Sequence, residues 1–492
     1  MRRTPLLAVT AAATGVVLCA TSALAAPGPG APGIGDPYYP DYGNGGYDVG
    51  HYDLDLKYQP ATDTLQGTAK ITARATQDLS RFNLDFLLDT QKVTVNGRKA
   101  VFAKSGAHEL VITPARALRK GSRIEIAVSY SDVPSTKKYN DYVGWARTPD
   151  GAVAAQEPES AWWWFPSNDH PLDKASYDIR ITVPEGLQTI SNGEPRRSRT
   201  SHGWTTTAWH EAKPQATYLA TLAVGKFEVH QGRTESGLPV ITAYSPDVAP
   251  ALLKAAKASI ELTPEIVDWA STVFGPYPFT SIGGYVPNVK SRFSLEEQTR
   301  VFYSPAAFAS GVRPYLIVHE NAHQWFGDSV SLTTWRDIWL NEGFASYAEW
   351  LWSEKTGQGT AAEVAKKTYD SYPADDPFWK VKVADPGPGE NQFHDAVYDR
   401  GALTLQALRA AVGDAKFFAI LRTWVKRHRY GNATTAQFEA LSEKISGKDL
   451  HGLFQTWLYT PGRPASPPQR VAVASSPRSW KEIRQTRTLE GR

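Results

Sequence analysis

The stretch VHENAHQWFGDSV, residues 318–330, places His319, Glu320 and His323 within five positions of one another. On a helix, residues four apart share a face, so His319 and His323 can aim a ring nitrogen at one ion while Glu320 sits one position round. The alternative is three polar residues on a solvated helix face. The neighbouring segment decides between them. TWRDIWLNEGFASYAEWLW (334–352) has the pattern of a second amphipathic helix, and it carries Glu342 with eighteen residues between it and His323. A first helix ending near Gly327, a short loop and a second, antiparallel helix would bring Glu342 opposite the two histidines. Two His and one Glu leave a fourth tetrahedral position open, the pattern of a catalytic zinc site. Carboxylate and imidazole without thiolate suit zinc in a secreted protein, although the donor set alone admits other divalent ions.

The rest of the chain supports that reading. Cys19 and Met1 are the single cysteine and methionine. Any metal is therefore held by His and carboxylate, with neither disulfide nor thiolate taking part. Both residues lie in a leader pattern: basic Met1-Arg2-Arg3, apolar PLLAVTAAATGVVLCA (5–20), and small residues at Ala23-Leu24-Ala25. Residues 1–26 are expected to be a signal peptide and the protein to be secreted. With 41% hydrophobic and 21% charged residues the chain is globular. Its formal charge of +3 includes Arg2 and Arg3, which leaves no reason to expect nucleic acid or a membrane surface as partner. No later segment approaches the length of a membrane span.

Residues 27–47, rich in Pro and Gly, read as a linker that can pack against the first domain. From Tyr47 the period becomes two: Tyr52, Leu54, Leu56 and Tyr58 alternate with Asp53, Asp55 and Lys57. RIEIAVSY (123–130) and SYDIRITVP (176–184) repeat the pattern, and Asn96-Gly97 between apolar runs marks a hairpin. Residues 48–232 are expected to form a β-domain. Helical patterns begin in DVAPALLKAAKASIELTPEIVDWASTVF (247–274), with a break at Pro264, and dominate from Tyr315 to Trp457. That gives a catalytic domain over 233–463. Residues 464–492 lack sustained periodicity and are expected to be a flexible tail.

Several motifs now occur in one order: NGGYDVGHYDLDL (44–56), FGPYPF (274–279), SLEEQT (294–299), HENAHQWFGD (319–328), WLNEGFA (339–345), VYDRGA (397–402) and WLYTPGRP (457–464). In this the chain resembles the aminopeptidase N family of gluzincin zinc peptidases. The resemblance implies an α+β multidomain fold: a saddle-like β-domain, then a thermolysin-like, mainly helical catalytic domain, without the large C-terminal helical domain of many relatives. It implies one Zn2+ held by His319, His323 and Glu342, which lowers the pKa of its water toward neutrality, and Glu320 as general base. Tyr398 matches the tyrosine that stabilises the oxyanion. Glu296 matches the glutamate that meets a free α-amine, although Phe293, Leu295 and Glu297 replace the usual Gly, Met and Asn. Which of Glu296 and Glu297 faces the cleft is left open. The resemblance further implies Glu157, before Pro158, as a second amine anchor, with Gln156 lining the first substrate pocket. Trp162 stands where an Arg is usual, and the run Trp162-Trp163-Trp164-Phe165 is expected to pack between the domains. Asp328 or Asp337 is expected to hold a ligand histidine from behind.

The function so implied is a secreted, monomeric zinc aminopeptidase acting on peptides with a free N-terminus. The alternatives are a zinc endopeptidase or a non-peptide hydrolase on the same centre, and a secreted binding protein without turnover.

Overall fold

A computed structural model describes residues 26–140, 142–469 and 476–490. The expected signal peptide lies outside the described residues, apart from its last position.

The alternation in the first part becomes an eight-stranded sheet. In spatial order its strands are Glu194–Ser201, Trp204–Gln215, Ala175–Pro184, Tyr47–Gln59, Thr64–Ala75, Arg123–Asp132, Thr90–Val95 and Arg98–Lys99. All neighbours are antiparallel except Ala175–Pro184 with Tyr47–Gln59. Register places Ile179, Leu54, Ala69, Val128 and Val93 in one buried row. Successive side chains alternate faces, so a slip of one residue on any strand would expose its apolar set. Asn96 and Gly97, both at positive φ (51° and 72°), make the tight turn that the sequence announced.

The catalytic domain opens with a sheet of Glu228–Arg233, Pro239–Tyr244, Ile282–Val286 and Val301–Phe302. The expected boundary at residue 232 is therefore late. Glu228–Arg233 pairs along its length with Pro239–Tyr244, and the glycines near 232–237 mark a hairpin rather than a domain border. The helices of this domain are α1 (Pro250–Ile260), α2 (Thr263–Phe274), α3 (Pro314–Ala322), α4 (Trp339–Lys355), α5 (Ala361–Ser371), α6 (Asp395–Val412), α7 (Asp414–His428), α8 (Thr435–Ser446), α9 (His451–Phe454) and α10 (Trp480–Glu490). Pro stands in the first turn of α1, α2 and α3, where its missing N–H costs nothing. Reciprocal capping boxes open α5 (Thr360 with Glu363) and α8 (Thr434 with Gln437). No described helix is long and apolar enough to cross a membrane.

Three expectations are corrected. Residues 27–47 do more than pack on the first domain. Tyr42, Asn44 and Tyr47 are buried, and Asp36 Oδ2 accepts from the Trp335 backbone N–H at 2.8 Å and meets His170 Nε2 at 3.0 Å. The Tyr and Asp side chains set among the prolines strap this segment across both domains. The described part of 464–492 is not a loose tail: α10 packs against α3, burying Ile483 and Arg487. Its polar anchors are the ion pairs of Arg484 and Arg487, which hydrophobic periodicity does not register. The aromatic run Trp162–Phe165 is fully buried, but inside the β-domain, where Trp162 meets Tyr42, His108 and Tyr139.

The two domains share a core. Ile241, Ala243, Tyr285, Leu295 and Phe302, from the catalytic sheet and its neighbouring segment, pack into the apolar cluster of the β-domain. Buried Arg300 fastens the seam. It donates to Ile241 O (2.8 Å) and Ile282 O (2.9 Å) on the catalytic side and to Gly193 O (2.7 Å) on the other. Asn192 adds donations to Leu219 O and Gln298 O, each at 2.8 Å.

One buried pair in the β-domain opposes folding at neutral pH. Asp85 and Glu109 face each other across paired strands, an unfavourable placement for like charges. Burial pushes the Glu109 carboxyl up to about 7 from an ordinary 4.5. Below the unfolded value both states hold the proton. As pH rises toward 7 the unfolded chain releases it first, and folding loses stability. Glu109→Gln is expected to leave stability unchanged at pH 4.5 and to raise it at pH 8 by roughly 2–3 kcal/mol. Urea unfolding midpoints at the two pH values check this; equal shifts at both would refute it.

Candidate metal centre and substrate cleft

α3 ends at Ala322, sooner than expected, and His323 caps it with helical φ/ψ (−57°, −26°). The four-residue spacing therefore still holds His319 and His323 on one face, with ring centroids 4.8 Å apart. α4 supplies Glu342 opposite them. Its Oε2 lies 3.3 Å from His319 Nε2 and 3.4 Å from His323 Nε2. Donors about 2.0–2.1 Å from a tetrahedral ion stand roughly 3.3 Å apart, so these three atoms fit the edges of a zinc site.

The far side of each ring is held as well. His319 Nδ1 meets Glu349 Oε1 at 2.8 Å, and His323 Nδ1 meets the Phe326 carbonyl at 3.1 Å. Both contacts turn the Nε2 atoms inward. This corrects the expectation for Asp328 and Asp337. Asp337 bonds Thr334 and Thr435, and Asp328 makes no hydrogen bond to either ring. Burial opposes charge on His323, but Glu342, Glu296 and Glu320 outweigh it and hold its pKa well above the ordinary value. Burial likewise opposes charge on Glu342, yet the two imidazoles hold its carboxyl below the ordinary range. The electrostatics favour positive charge at the centre, as a cation-binding pocket requires.

The position of Glu342 depends on a close helix crossing. α4 and α6 meet at Gly343 and Gly401, where a Cβ on Gly401 would lie 2.9 Å from Gly343 Cα. This brings Tyr398, one turn before Gly401, to the same cleft. Its ring centroid is 6.1 Å from that of His319. Arg400 between them is structural: it donates to the carbonyls of Trp379, Val381, Thr456 and Thr460, which ties the VYDRGA and WLYTPG motifs together.

His319, Glu320, His323, Glu342, Tyr398, Glu296 and Phe293 line one small cleft of about 10 Å³, room for roughly one water-sized sphere. Carboxylate oxygens of Glu296 and Glu320 lie within 4.8 Å of each other and of a His323 ring nitrogen. Glu157, Glu296 and Glu342 form a second group of the same spread. Glu296 thus faces the cleft, with Tyr218 Oη donating to it at 3.4 Å. Glu297 turns toward the β-domain core, where its charge raises the Tyr285 phenol after burial has done so. Gln324, beside His323, accepts from Thr299 N (2.8 Å) and donates to Glu296 O (3.0 Å), locking the SLEEQT backbone to α3. Gln156 and Glu157 line an adjoining cavity of about 500 Å³, walled by Tyr39, Tyr42, Tyr142, Phe293 and Phe393.

Sequence reasoning missed Glu349, Gln324, Tyr218 and Arg487. Glu349 was within reach, because it stands seven residues after Glu342 and so shares its helix face. Arg487 carries no local signal.

The description "Peptidase M1 N-terminal domain" matches residues 49–219, and "Peptidase family M1 domain" matches residues 307–457. The chain belongs to the M1 peptidase family. A mutant M1 zinc metallopeptidase from Deinococcus radiodurans, solved bound to a Tyr-Ser-Ala substrate, superposes with a TM-score of 0.80 at 28% identity. The match covers 89% of this chain and 100% of that one. Glutamyl aminopeptidase of Bos taurus is 26% identical over 84% of this chain and 46% of its own length. Leucyl aminopeptidase of Saccharolobus solfataricus is 25% identical over 89% and 56%. The chain thus spans about half the length of the curated relatives it matches. The M1 fold is present as expected, a β-rich domain followed by a mainly helical one. Zinc is the cofactor of this M1 fold, and His319, His323 and Glu342 are the residues arranged to hold it.

Proposed function

We propose that this M1 protein is a zinc-dependent aminopeptidase that removes the first residue of a peptide. The observation that carries the reading is the placement of two buried carboxylates, Glu157 and Glu296, within 4.8 Å of the ligand Glu342. Acids there have no use in an endopeptidase, whose substrate presents neutral amide at that point. They suit a free α-ammonium, which needs opposite charge once desolvated.

Zinc, when bound, polarises the scissile carbonyl and brings the pKa of a water toward neutrality. Glu320, buried beside the ligands, takes the proton of the attacking water and delivers it to the departing amine nitrogen as the C–N bond breaks. Tyr398 offers its phenol to the oxygen on which negative charge develops. Glu296 and Glu157 fix the ammonium, and the first side chain enters the aromatic-walled cavity, whose size suits a large apolar group. The SLEEQT backbone, locked by Gln324, sets the distance between amine and scissile bond.

A leucyl or phenylalanyl arylamide, its N-acetylated twin and an internally quenched peptide test this together, each with and without chelator. Hydrolysis of the free-amine compound alone, abolished by chelator, is expected. Glu296→Gln is expected to lower kcat/KM by about 10²-fold, the loss of one charge-assisted contact at a desolvated site. Equal cleavage of the acetylated twin would remove Glu296 and Glu157 from amine binding and favour endopeptidase action. Bound zinc without any cleavage would leave a binding protein.

A further inference from the structure

α10 lies beyond the last motif shared with M1 relatives, yet it reaches the metal centre. Arg487 is 3% exposed, and its Nη2 donates to Glu349 Oε1 at 2.5 Å. The same oxygen meets His319 Nδ1. Arg487 Nε donates to Asp399 Oδ1 at 3.0 Å, and its guanidinium lies 5.4 Å from the centroid of the Tyr398 ring. One side chain thus touches the support of a zinc ligand, the residue next to Tyr398, and Tyr398 itself.

We propose that Arg487 is a positioning residue that completes the metal centre from the C-terminal helix, orienting His319 through Glu349 and seating Tyr398 through Asp399 and the ring face. The charges demand such a group. Glu349 and Asp399 are buried carboxylates, at 0% and 2% exposure. A carboxylate that both holds an imidazole and stays ionised away from water needs a compensating cation. The planar fork of arginine meets two separate carboxylates at once; a lysine does not. Arg484 is the contrasting neighbour. It donates to Asp399 Oδ2 at 2.9 Å and to Tyr372 Oη at 2.7 Å, from a side chain about a third exposed to solvent.

The inference rests on the zinc reading of His319, and its test is independent of peptide turnover. Full-length zinc-loaded protein is mixed with excess 4-(2-pyridylazo)resorcinol and the rate of zinc transfer is followed by absorbance. Arg487→Met is expected to release zinc about 10-fold faster, in the range found when a partner of a ligand histidine is lost. Glu349→Gln should match it, and the double variant should add little, because both act on the same ring. Arg484→Met should lower the melting temperature yet keep release within twofold of the parent. In turnover, Arg487→Met should lower kcat and leave KM nearly unchanged. Should Arg487→Met fail to fold, Arg487→Lys takes its place, with release expected between that of the parent and Glu349→Gln. Release within twofold of the parent in the Arg487 variant overturns the proposal, and so does equal acceleration by Arg484→Met. An absence of peptidase activity alongside the expected release pattern would sink the aminopeptidase reading alone.

Discussion

Glu320→Gln is expected to cut kcat by about 10³-fold, within the 10²–10⁴ range of a lost general base, while zinc content stays at one per chain. The substitution keeps size and polarity but removes the ability to accept a proton. Glu320 is buried at 2% exposure, within 4.8 Å of Glu296 and of a His323 ring nitrogen, and outside the ligand trio. It stands next to His319 on α3, so a direct ligand role would require turning the helix. KM should change little, because on the proposed reading other acids hold the amine. Steady-state kinetics beside metal analysis by mass spectrometry decide the matter. A variant that keeps a tenth of the parental rate, or that loses its zinc, would take Glu320 out of this role.

Gly401→Ala is expected to damage the site from a distance. The added Cβ would sit 2.9 Å from Gly343 Cα, whereas carbon atoms rest about 3.5–4.0 Å apart. The obstacle is backbone, so α4 and α6 must part by roughly 0.6–1 Å. Glu342 adjoins Gly343, and Tyr398 lies one turn from Gly401, so the parting separates a zinc ligand from the phenol. Misplacement on this scale costs catalysis about 10²-fold, and overpacking costs roughly 1–3 kcal/mol of stability. Both kcat and the unfolding midpoint should fall. Gly452, which has open space where a Cβ would be, is the control: Gly452→Ala should leave activity alone. A Gly401→Ala protein with parental kcat would show that the crossing does not position the site.

What could be read beforehand divides by range of interaction. YDLDLKY announced its strand because burial alternates residue by residue, and His319, Glu320 and His323 announced a site because four positions make one helical turn. Glu342 came from a second pattern at a fixed distance. The choice between Glu296 and Glu297 is set by the fold of the SLEEQT segment, which Gln324 locks from another element, and nothing in the segment itself reveals it. The reach of the 27–47 strap into the second domain and the docking of α10 were not legible, because each turns on contacts with residues far away in sequence. Asp36 reaches Trp335 across 299 positions, and Arg487 reaches Glu349 across 138. Composition records what such residues are and says nothing of whom they meet. The tryptophan run was assigned to the wrong interior for the same reason.

The grip of Arg300 on carbonyls from both domains bears on how a peptide would enter. A hinge between the halves would pull the Gly193 carbonyl from a guanidinium that keeps Ile241 and Ile282, so this contact resists opening. The mouth of the enclosure is then expected to keep its width, with admission set by the contour of the visitor rather than by closing jaws. On the aminopeptidase reading, selectivity is then expected to follow static shape and placed charge, and substitutions that alter it belong on the walls, not at a pivot.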